Sequence, residues 1–476
     1  MPIWLPRDYQ RSLRDFKLAQ QRVNWWSGTG TGKTSASIYT YDLMRLFGEA
    51  RHLLVVTTKR IATMVWHREV GRWENFAHLS CAIAVGTPAQ RLAAVRQRAD
   101  ITTINVDNLP WLCETAGDEW YWDMVIADES SKLKGLRIAL MKHPKTGKEF
   151  YRIGGGSKRA GEVARIAHKK VNHWINCTGT PMSNGLVDLW GQAWFLDAGQ
   201  RLGRSFTAFE RRWFRSIRID QYQSILEPYD HAEAEIKALL SDITITIEAK
   251  DYMDLPPTVV NKVSITLPPA AYAKYREMER ECFTEIEDNE IEAFNAGAKS
   301  MKLRQLVNGA AYLEGGEDWV PLHDAKIEAL QDIVAGLGGE PILVAYYFKS
   351  DLARLRKAFP QGVYFDDKPQ TLQRFIDGKI PVLFIHPKSA AHGIDGMQQA
   401  CRHVAWFSMI WELEDFQQLI ERVGATRQVQ SGQYREVYVH MLIGENTIDE
   451  EMADRIETKA SVQDAFKQAM KKRSSR

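Results

Sequence analysis

Residues 27–37 read SGTGTGKTSAS, and their types and spacing suit one task, holding the phosphates of a nucleotide. Gly28, Gly30 and Gly32, with Ser27, Thr29 and Thr31 between them, let backbone N–H groups turn inward around a β- and γ-phosphate. Lys33 supplies a point charge at those phosphates, and Thr34 supplies a hydroxyl for Mg²⁺. The strict GxxxxGK(S/T) pattern asks for Gly at position 27, where this chain has Ser27. A second group completes the arrangement. WDMVIADES ends an apolar run at Asp128 and Glu129: Asp128 is placed to hold Mg²⁺ through water, and Glu129 to polarise an attacking water. Mg²⁺ needs few protein ligands beside phosphate oxygens, so one carboxylate and one hydroxyl suffice.

Both groups need elements that present them. VNWW (Val23 to Trp26) precedes the glycine loop and a helical pattern follows it, the strand–loop–helix context a phosphate loop requires. Further apolar runs are HLLVVTT (His52 to Thr58), CAIAV (Cys81 to Val85), ITTIN (Ile101 to Asn105), MVIAD (Met124 to Asp128) and HWINCTG (His173 to Gly179). They are continuous rather than alternating, as suits strands covered on both faces. Amphipathic stretches such as Lys59 to Trp73 lie between them, and the rhythm predicts a parallel α/β fold. Helical patterns occupy about Gly203 to Leu239 and Ala270 to Gly309. Within the second, Arg276 to Phe294 carries eight acidic residues against two basic ones, a solvated face unsuited to nucleic acid. A second α/β series follows: Pro341 to Tyr347, Gly362 to Phe365, Pro381 to Ile385, His403 to Phe407 and Arg435 to Ile443. Two α/β lobes and a cleft are expected.

Composition excludes other classes. Of 476 residues, 45% are apolar and 26% charged, which rules out a disordered or low-complexity chain. The net charge of +2 means that any basic surface must be local. Cys81, Cys113, Cys177, Cys282 and Cys401 are scattered and form no CxxC, so neither a disulfide framework nor a cysteine zinc site is expected. No apolar run reaches the ~20 residues of a membrane helix. The N-terminal residues lack the apolar core of a signal peptide, so a cytoplasmic protein without a membrane partner is expected.

Read as a series, the motifs resemble the Swi/Snf-type branch of superfamily-two helicases and DNA translocases, of the phage and bacterial single-chain kind, over almost the whole chain. LPRDYQ (Leu5 to Gln10) is similar to the adenine-reading Q segment, with Gln10 at the base-recognition position. SGTGTGKT resembles motif I, Leu53 to Trp73 motif Ia, Ile101 to Leu109 motif Ib, and DESSKLK (Asp128 to Lys134) motif II, with Ser-Ser where DEAH proteins have Ala-His. CTGTPMSNGLVDLW (Cys177 to Trp190) closely resembles motif III. Pro341 to Leu355 resembles motif IV, and His386 to Ala400 resembles motif V, with Asp395 where Asn is usual. Phe407 to Gln428 resembles the segment around Trp411 and motif VI, and TIDEEM (Thr447 to Met452) the start of the helix that follows. Motif VI departs from its pattern, QxxxRxxR. Gln418 and Arg422 fit and lie four apart in a helical pattern, so they are expected to share one helix face; position 425 is Ala, and the next arginine, Arg427, lies beyond Gly424 and is expected to reach the site through an extended loop.

The resemblance implies two RecA-like parallel-sheet lobes facing a cleft, with helical insertions and a C-terminal helix. It assigns 1–202 to the first lobe, 203–255 to a helical extension and linker, 256–450 to the second lobe with a helical protrusion near 270–315, and 451–476 to a C-terminal helix and basic tail. It implies ATP and Mg²⁺ as cofactors, with Gly393 and Asp395 joining the ATP site and Arg422 or Arg427 reaching the γ-phosphate. It implies a DNA partner, double-stranded by preference, held by backbone contacts that include Thr58, Lys59 and Ser389. A monomer targeted by insertions or a protein partner is expected. Between Lys132 and Lys170 twelve basic residues face only Glu149 and Glu162, and the Gly/Pro-punctuated middle must be a loop or hairpin. Lys145, Lys148, Lys158 and Arg159 there are candidate phosphate contacts, with a merely solvated loop as the alternative. His392, Trp25 and Trp26 read as structural, and Trp411 as either cleft-stacking or core. Two other functions fit less of the chain: a strand-separating helicase, and a non-catalytic scaffold that binds a host polymerase or repair complex.

Overall fold

A computed structural model describes residues 1–28, 30–218, 224–284, 292–313, 318–390 and 394–474. The described residues fall into two compact units. One holds those within Met1–Ile217, Ile225–Tyr252 and Ser461–Arg476; the other holds those within Arg218–Ser224 and Met253–Ala460.

The first unit is built on seven parallel strands in the order Thr244–Ile247, Arg22–Ser27, His173–Thr178, Met124–Asp128, Leu53–Thr57, Ile101–Asn105, Cys81–Ile83. The runs Leu53–Thr57, Ile101–Asn105 and Met124–Asp128 are buried along their whole length, because helices cover both faces of the sheet. Trp26, Trp122, Trp174 and Trp190 are nearly solvent-free in its core. The register pairs Trp26 with Thr178, and Asp128 with Cys177. Ser27 and Asp128 therefore end two strands that flank a common neighbour, at the carboxyl edge of the sheet, where open α/β sheets bind ligands.

The second unit carries six parallel strands in the order Thr258–Ile265, Val437–Gly444, His403–Trp406, Ile342–Ala345, Val382–Ile385, Val363–Tyr364. A buried ion pair sits beside it. The Lys326 ammonium lies 2.6 Å from Asp449 and also donates to Asn308 Oδ1 at 2.9 Å and to the Phe407 carbonyl at 3.1 Å, which uses all three of its protons. Both charged side chains are almost solvent-free. Removing one partner strands the other charge, so Lys326→Ala should cost about 3–5 kcal/mol in chemical denaturation. Lys326→Met paired with Asp449→Leu should restore most of it; a single variant as stable as the parent would contradict the pair's role.

The division of the chain differs from the expected boundaries at 202, 255 and 450. Segment 203–255, expected as extension and linker, also supplies the edge strand Thr244–Ile247, and residues from Ser461 pack with the first unit. In the two large sheets the strands missing from the expectation are the edge strands Thr244–Ile247, where Thr and Ile alternate, and Thr258–Ile265, exposed at every other residue and interrupted by Asn261, Lys262 and Ser264, so neither forms an apolar run; the helical pattern expected over about 203–239 is interrupted by the strands Phe214–Arg218 and Ser224–Pro228. The acidic stretch 276–294 begins within the helix Pro269–Thr284, and residues 285–291 lie outside the described residues. Cys81, Cys113, Cys177 and Cys401 are free thiols. Among the described residues no helix is long and apolar enough to cross a membrane.

Candidate nucleotide site

The glycine loop leaves the strand Arg22–Ser27 and enters the helix Lys33–Leu46 through Gly32. Gly30 and Gly32 take left-handed φ values of 77° and 73°, which side chains resist, and these turns curl the loop over the helix start. Thr29 lies outside the described residues. Ser27 and Thr31 hydroxyls meet at 2.6 Å, and Thr31 also donates to the Gly28 carbonyl at 2.9 Å, pinning the loop from within. Lys33 folds back along it, donating to the Ser27 carbonyl at 2.8 Å. Thr34 follows in the first, half-buried turn of the helix.

Both ends of the Gln10 amide are engaged within the protein. Its Oε1 accepts the Arg7 N–H at 2.9 Å, and its Nε2 donates to the Thr31 carbonyl at 3.0 Å. It ties the helix Asp8–Leu18 to the phosphate loop, and a Cβ at position 32 would come within 2.5 Å of its amide nitrogen. Beside it the rings of Tyr9 and Tyr252 pack at 4.9 Å, with Tyr252 48% exposed.

Asp128 is buried at the end of its strand, and burial raises its carboxyl pKa; Lys33 opposes that shift by charge, as does the Trp66 indole by hydrogen bonding. The Trp66 Nε1 donates to Asp128 Oδ2 at 3.2 Å. Glu129 adopts a left-handed backbone, φ 75°, with its N–H fixed to the Cys177 carbonyl at 2.9 Å. The chain then turns into a short 3₁₀ segment, Ser130–Leu133. Ser130 donates to Gln192 at 2.7 Å, and Gln192 donates to the Pro181 carbonyl at 2.7 Å. Lys134 binds Asp188 at 3.0 Å and Ser183 at 2.6 Å. The Ser-Ser variant of motif II is thus wired to the TGTP segment through Gln192 and Asp188. Trp66, Gln192 and Asp188 were not singled out by the sequence patterns. Trp66 and Asp188 lie within segments that were matched, but only the fold gives them partners.

The second unit holds motifs V and VI. The helix Leu413–Ile420 carries Gln418, which donates to Glu414 at 3.2 Å. Arg422 does not share that helix with Gln418, as expected from spacing: it follows the helix end, its N–H bonded to the Leu419 carbonyl at 3.0 Å. Its guanidinium is buried and donates to the Ile394 carbonyl at 3.1 Å. Gly424, with φ −58° and ψ 160°, caps a second helix, Ala425–Gln430. Arg427 therefore sits in a helix, not in the extended loop expected of it, and it forms an ion pair with Asp395. The two departures from the family pattern, Asp395 in motif V and Arg427 in motif VI, are partners. Gly393 and His392 lie outside the described residues.

The candidate nucleic-acid contacts divide. Lys59 is exposed at the start of the helix Lys59–Met64, while Thr58 is buried at its cap. Lys145 and Lys148 lie in the exposed turn of a hairpin, Ile138–Lys142 with Glu149–Ile153, and Lys158 is exposed at the start of the helix Lys158–Ala167. Arg159 is engaged by Asp107 at 3.0 Å. Ser389 is half-buried in the short helix Pro387–Ala390. Lys33, Thr34 and Asp128 supply one cation, one hydroxyl and one carboxylate from the carboxyl edge of the first sheet, groups suited to a phosphate-bound hard cation. Among the described residues no cluster of three or more His, Cys, Asp or Glu side chains gathers to hold a metal by itself.

No family model matches the chain. It is 41% identical over 476 residues to the provisionally described protein p41 of Acyrthosiphon pisum secondary endosymbiont phage 1, covering 99% of this chain and 100% of that protein. It is 23% identical over 470 residues to YwqA of Bacillus subtilis (strain 168), provisionally described as an ATP-dependent helicase/translocase; the match covers 92% of this chain but 46% of YwqA. The Sulfolobus solfataricus SWI2/SNF2 ATPase core in complex with dsDNA aligns with 100% of this chain and 95% of its own at 21% identity, with a TM-score of 0.43.

Proposed function

We propose that the chain, in one family with the phage protein p41, is a Swi/Snf-type superfamily-two ATPase that hydrolyses ATP and couples hydrolysis to movement along double-stranded DNA. The observation that carries this reading is the meeting of the glycine loop, Lys33 and the buried Asp128 at one edge of a single sheet. In it the loop N–H groups and Lys33 bind the β- and γ-phosphates, and Thr34 and Asp128 hold Mg²⁺. Mg²⁺, when bound, neutralises charge on the phosphate oxygens. Trp66 fixes the Asp128 carboxylate by its indole N–H. Glu129, presented by its left-handed turn, takes a proton from the attacking water. Gln10 acts on adenine only through the loop it braces or after giving up one of its two contacts. Arg422 and Arg427 stabilise charge as the γ-phosphate leaves.

Lys59, Lys145, Lys148, Lys158 and Ser389 supply backbone contacts to DNA, which position a duplex without reading its bases. Arg159 contributes less, because Asp107 already offsets its charge. The protein acts as a cytoplasmic monomer, directed to its DNA by a protein partner. The direct experiment measures ATP turnover with no polymer, duplex DNA, single-stranded DNA and RNA in parallel. Duplex DNA is expected to stimulate most. Equal rates with and without polymer would remove the coupling, and stimulation by RNA alone would replace the substrate.

A further inference from the structure

The hairpin after motif II does more than carry lysines. Its register pairs Leu140 with Tyr151 and Met141 with Phe150, so opposite faces each carry a large apolar pair. Phe150 and Tyr151 are 45% and 46% exposed, which folding alone does not require. The face holding Tyr151 and Ile153 turns toward the helix Lys158–Ala167: Ile153 lies 3.2 Å from where a Cβ of Gly161 would stand. Between the hairpin, that helix and the end of the helix Leu189–Asp197 runs an open groove of about 770 Å³. Its aromatic lining is Phe150, Tyr151 and Trp194; its charged lining is Arg152, Arg165 and Lys169, with no carboxylate. Glu162 approaches Arg165 at 3.4 Å from outside that lining. Trp194 is held in place by His168, whose ring packs edge-on against it and bonds its carbonyl at 2.8 Å.

The place of the groove separates it from the nucleotide site. His168 and Lys169 lie just before the strand His173–Thr178, at the amino edge of the first sheet, whereas Ser27 and Asp128 end their strands at the carboxyl edge.

We propose that this groove binds an unpaired nucleic-acid strand, with bases stacking on Tyr151 and Trp194 and phosphates meeting Arg165 and Lys169. Rings interleaved with cations, in a groove without carboxylates, match how proteins take single strands without reading sequence. A protein partner of acidic character would use the cations but leave the exposed rings without a matching π-face. Paired bases in a duplex are stacked on one another and cannot reach the rings. The inference does not rest on the ATPase reading, and its test contains no ATP.

Binding of the full chain to a fluorescein-labelled oligodeoxythymidylate, and separately to a labelled blunt duplex, is followed by anisotropy. Tyr151→Ala should weaken single-strand binding roughly 5- to 150-fold, the range for one lost base–ring stack, and leave duplex binding unchanged. Tyr151→Phe keeps the ring and should keep the affinity, which separates stacking from damage to the hairpin. Arg165→Gln with Lys169→Gln should lower affinity and flatten its salt dependence for the single strand alone. Equal losses for duplex and single strand would overturn the proposal, as would a Tyr151→Ala variant that binds the single strand like the parent. Displacement of the oligonucleotide by polyglutamate at matched charge would also overturn it, by showing that charge alone fills the groove.

Discussion

Glu129→Gln should bind ATP as the parent does and turn it over roughly 10²- to 10⁴-fold more slowly, the usual cost of losing a positioned general base. The substitution keeps the side chain's shape. The left-handed turn and the N–H bond to the Cys177 carbonyl are backbone features and should persist. Lys33 and Asp128, which carry phosphate and cation binding in this reading, are untouched. Lys33→Ala gives the contrasting result. It removes a phosphate contact and the one charge that draws the buried Asp128 carboxyl back toward ionisation, so nucleotide binding itself should weaken. Steady-state turnover and equilibrium nucleotide binding, measured on both variants, separate the two roles. Near-parental turnover by Glu129→Gln would remove water activation from Glu129.

The second large effect concerns charge stabilisation from the second unit. Arg422→Ala should lower stimulated turnover by roughly 10³- to 10⁵-fold, the range for an arginine that meets the leaving γ-phosphate, with nucleotide affinity retained. Because Arg422 is buried and bonded to the Ile394 carbonyl, thermal unfolding must accompany the kinetics. Arg422→Lys, which keeps a charge but not the planar fork, should fold like the parent and still turn over slowly. Arg427→Ala should cost less, because Asp395 already offsets that guanidinium. Should Arg427→Ala be the severe variant and Arg422→Ala the mild one, Arg427 takes the role at the γ-phosphate. Full turnover by both would end the arginine assignment for this chain.

Much of this was legible beforehand, for physical reasons that can be named. Strands buried on both faces announce themselves as unbroken apolar runs, so Ile101–Asn105 and Met124–Asp128 could be delimited to the residue. Edge strands such as Thr258–Ile265 show water one face, alternate, and escaped notice. Residues that bind ligand directly sit at fixed spacing and are visible as motifs. Residues that hold them, such as Trp66 against Asp128, act across 62 positions of sequence, and no local pattern records such a pairing. The placement of motif VI failed for a local reason. The helical period that spacing carried through Arg422 already ends at Ile420, and a charge partner thirty-two residues earlier in the chain fixes Arg427.

The first unit is discontinuous in the chain, and this bears on how it is made. Phe466 packs on Trp26 with ring centres 5.7 Å apart, and Lys467 binds Glu248 at 3.2 Å, next to the strand that borders the phosphate loop. On a ribosome the loop and its strand emerge early, but their cover emerges only after the second unit has been synthesised. A nascent chain should therefore lack the Phe466 cover of Trp26 until the second unit has been made, leaving a hydrophobic surface of the kind that chaperones hold. Nucleotide binding should arise only once the residues around Phe466 have been made, and a stop codon ahead of Ser461 should yield an aggregating product rather than a smaller nucleotide-binding one.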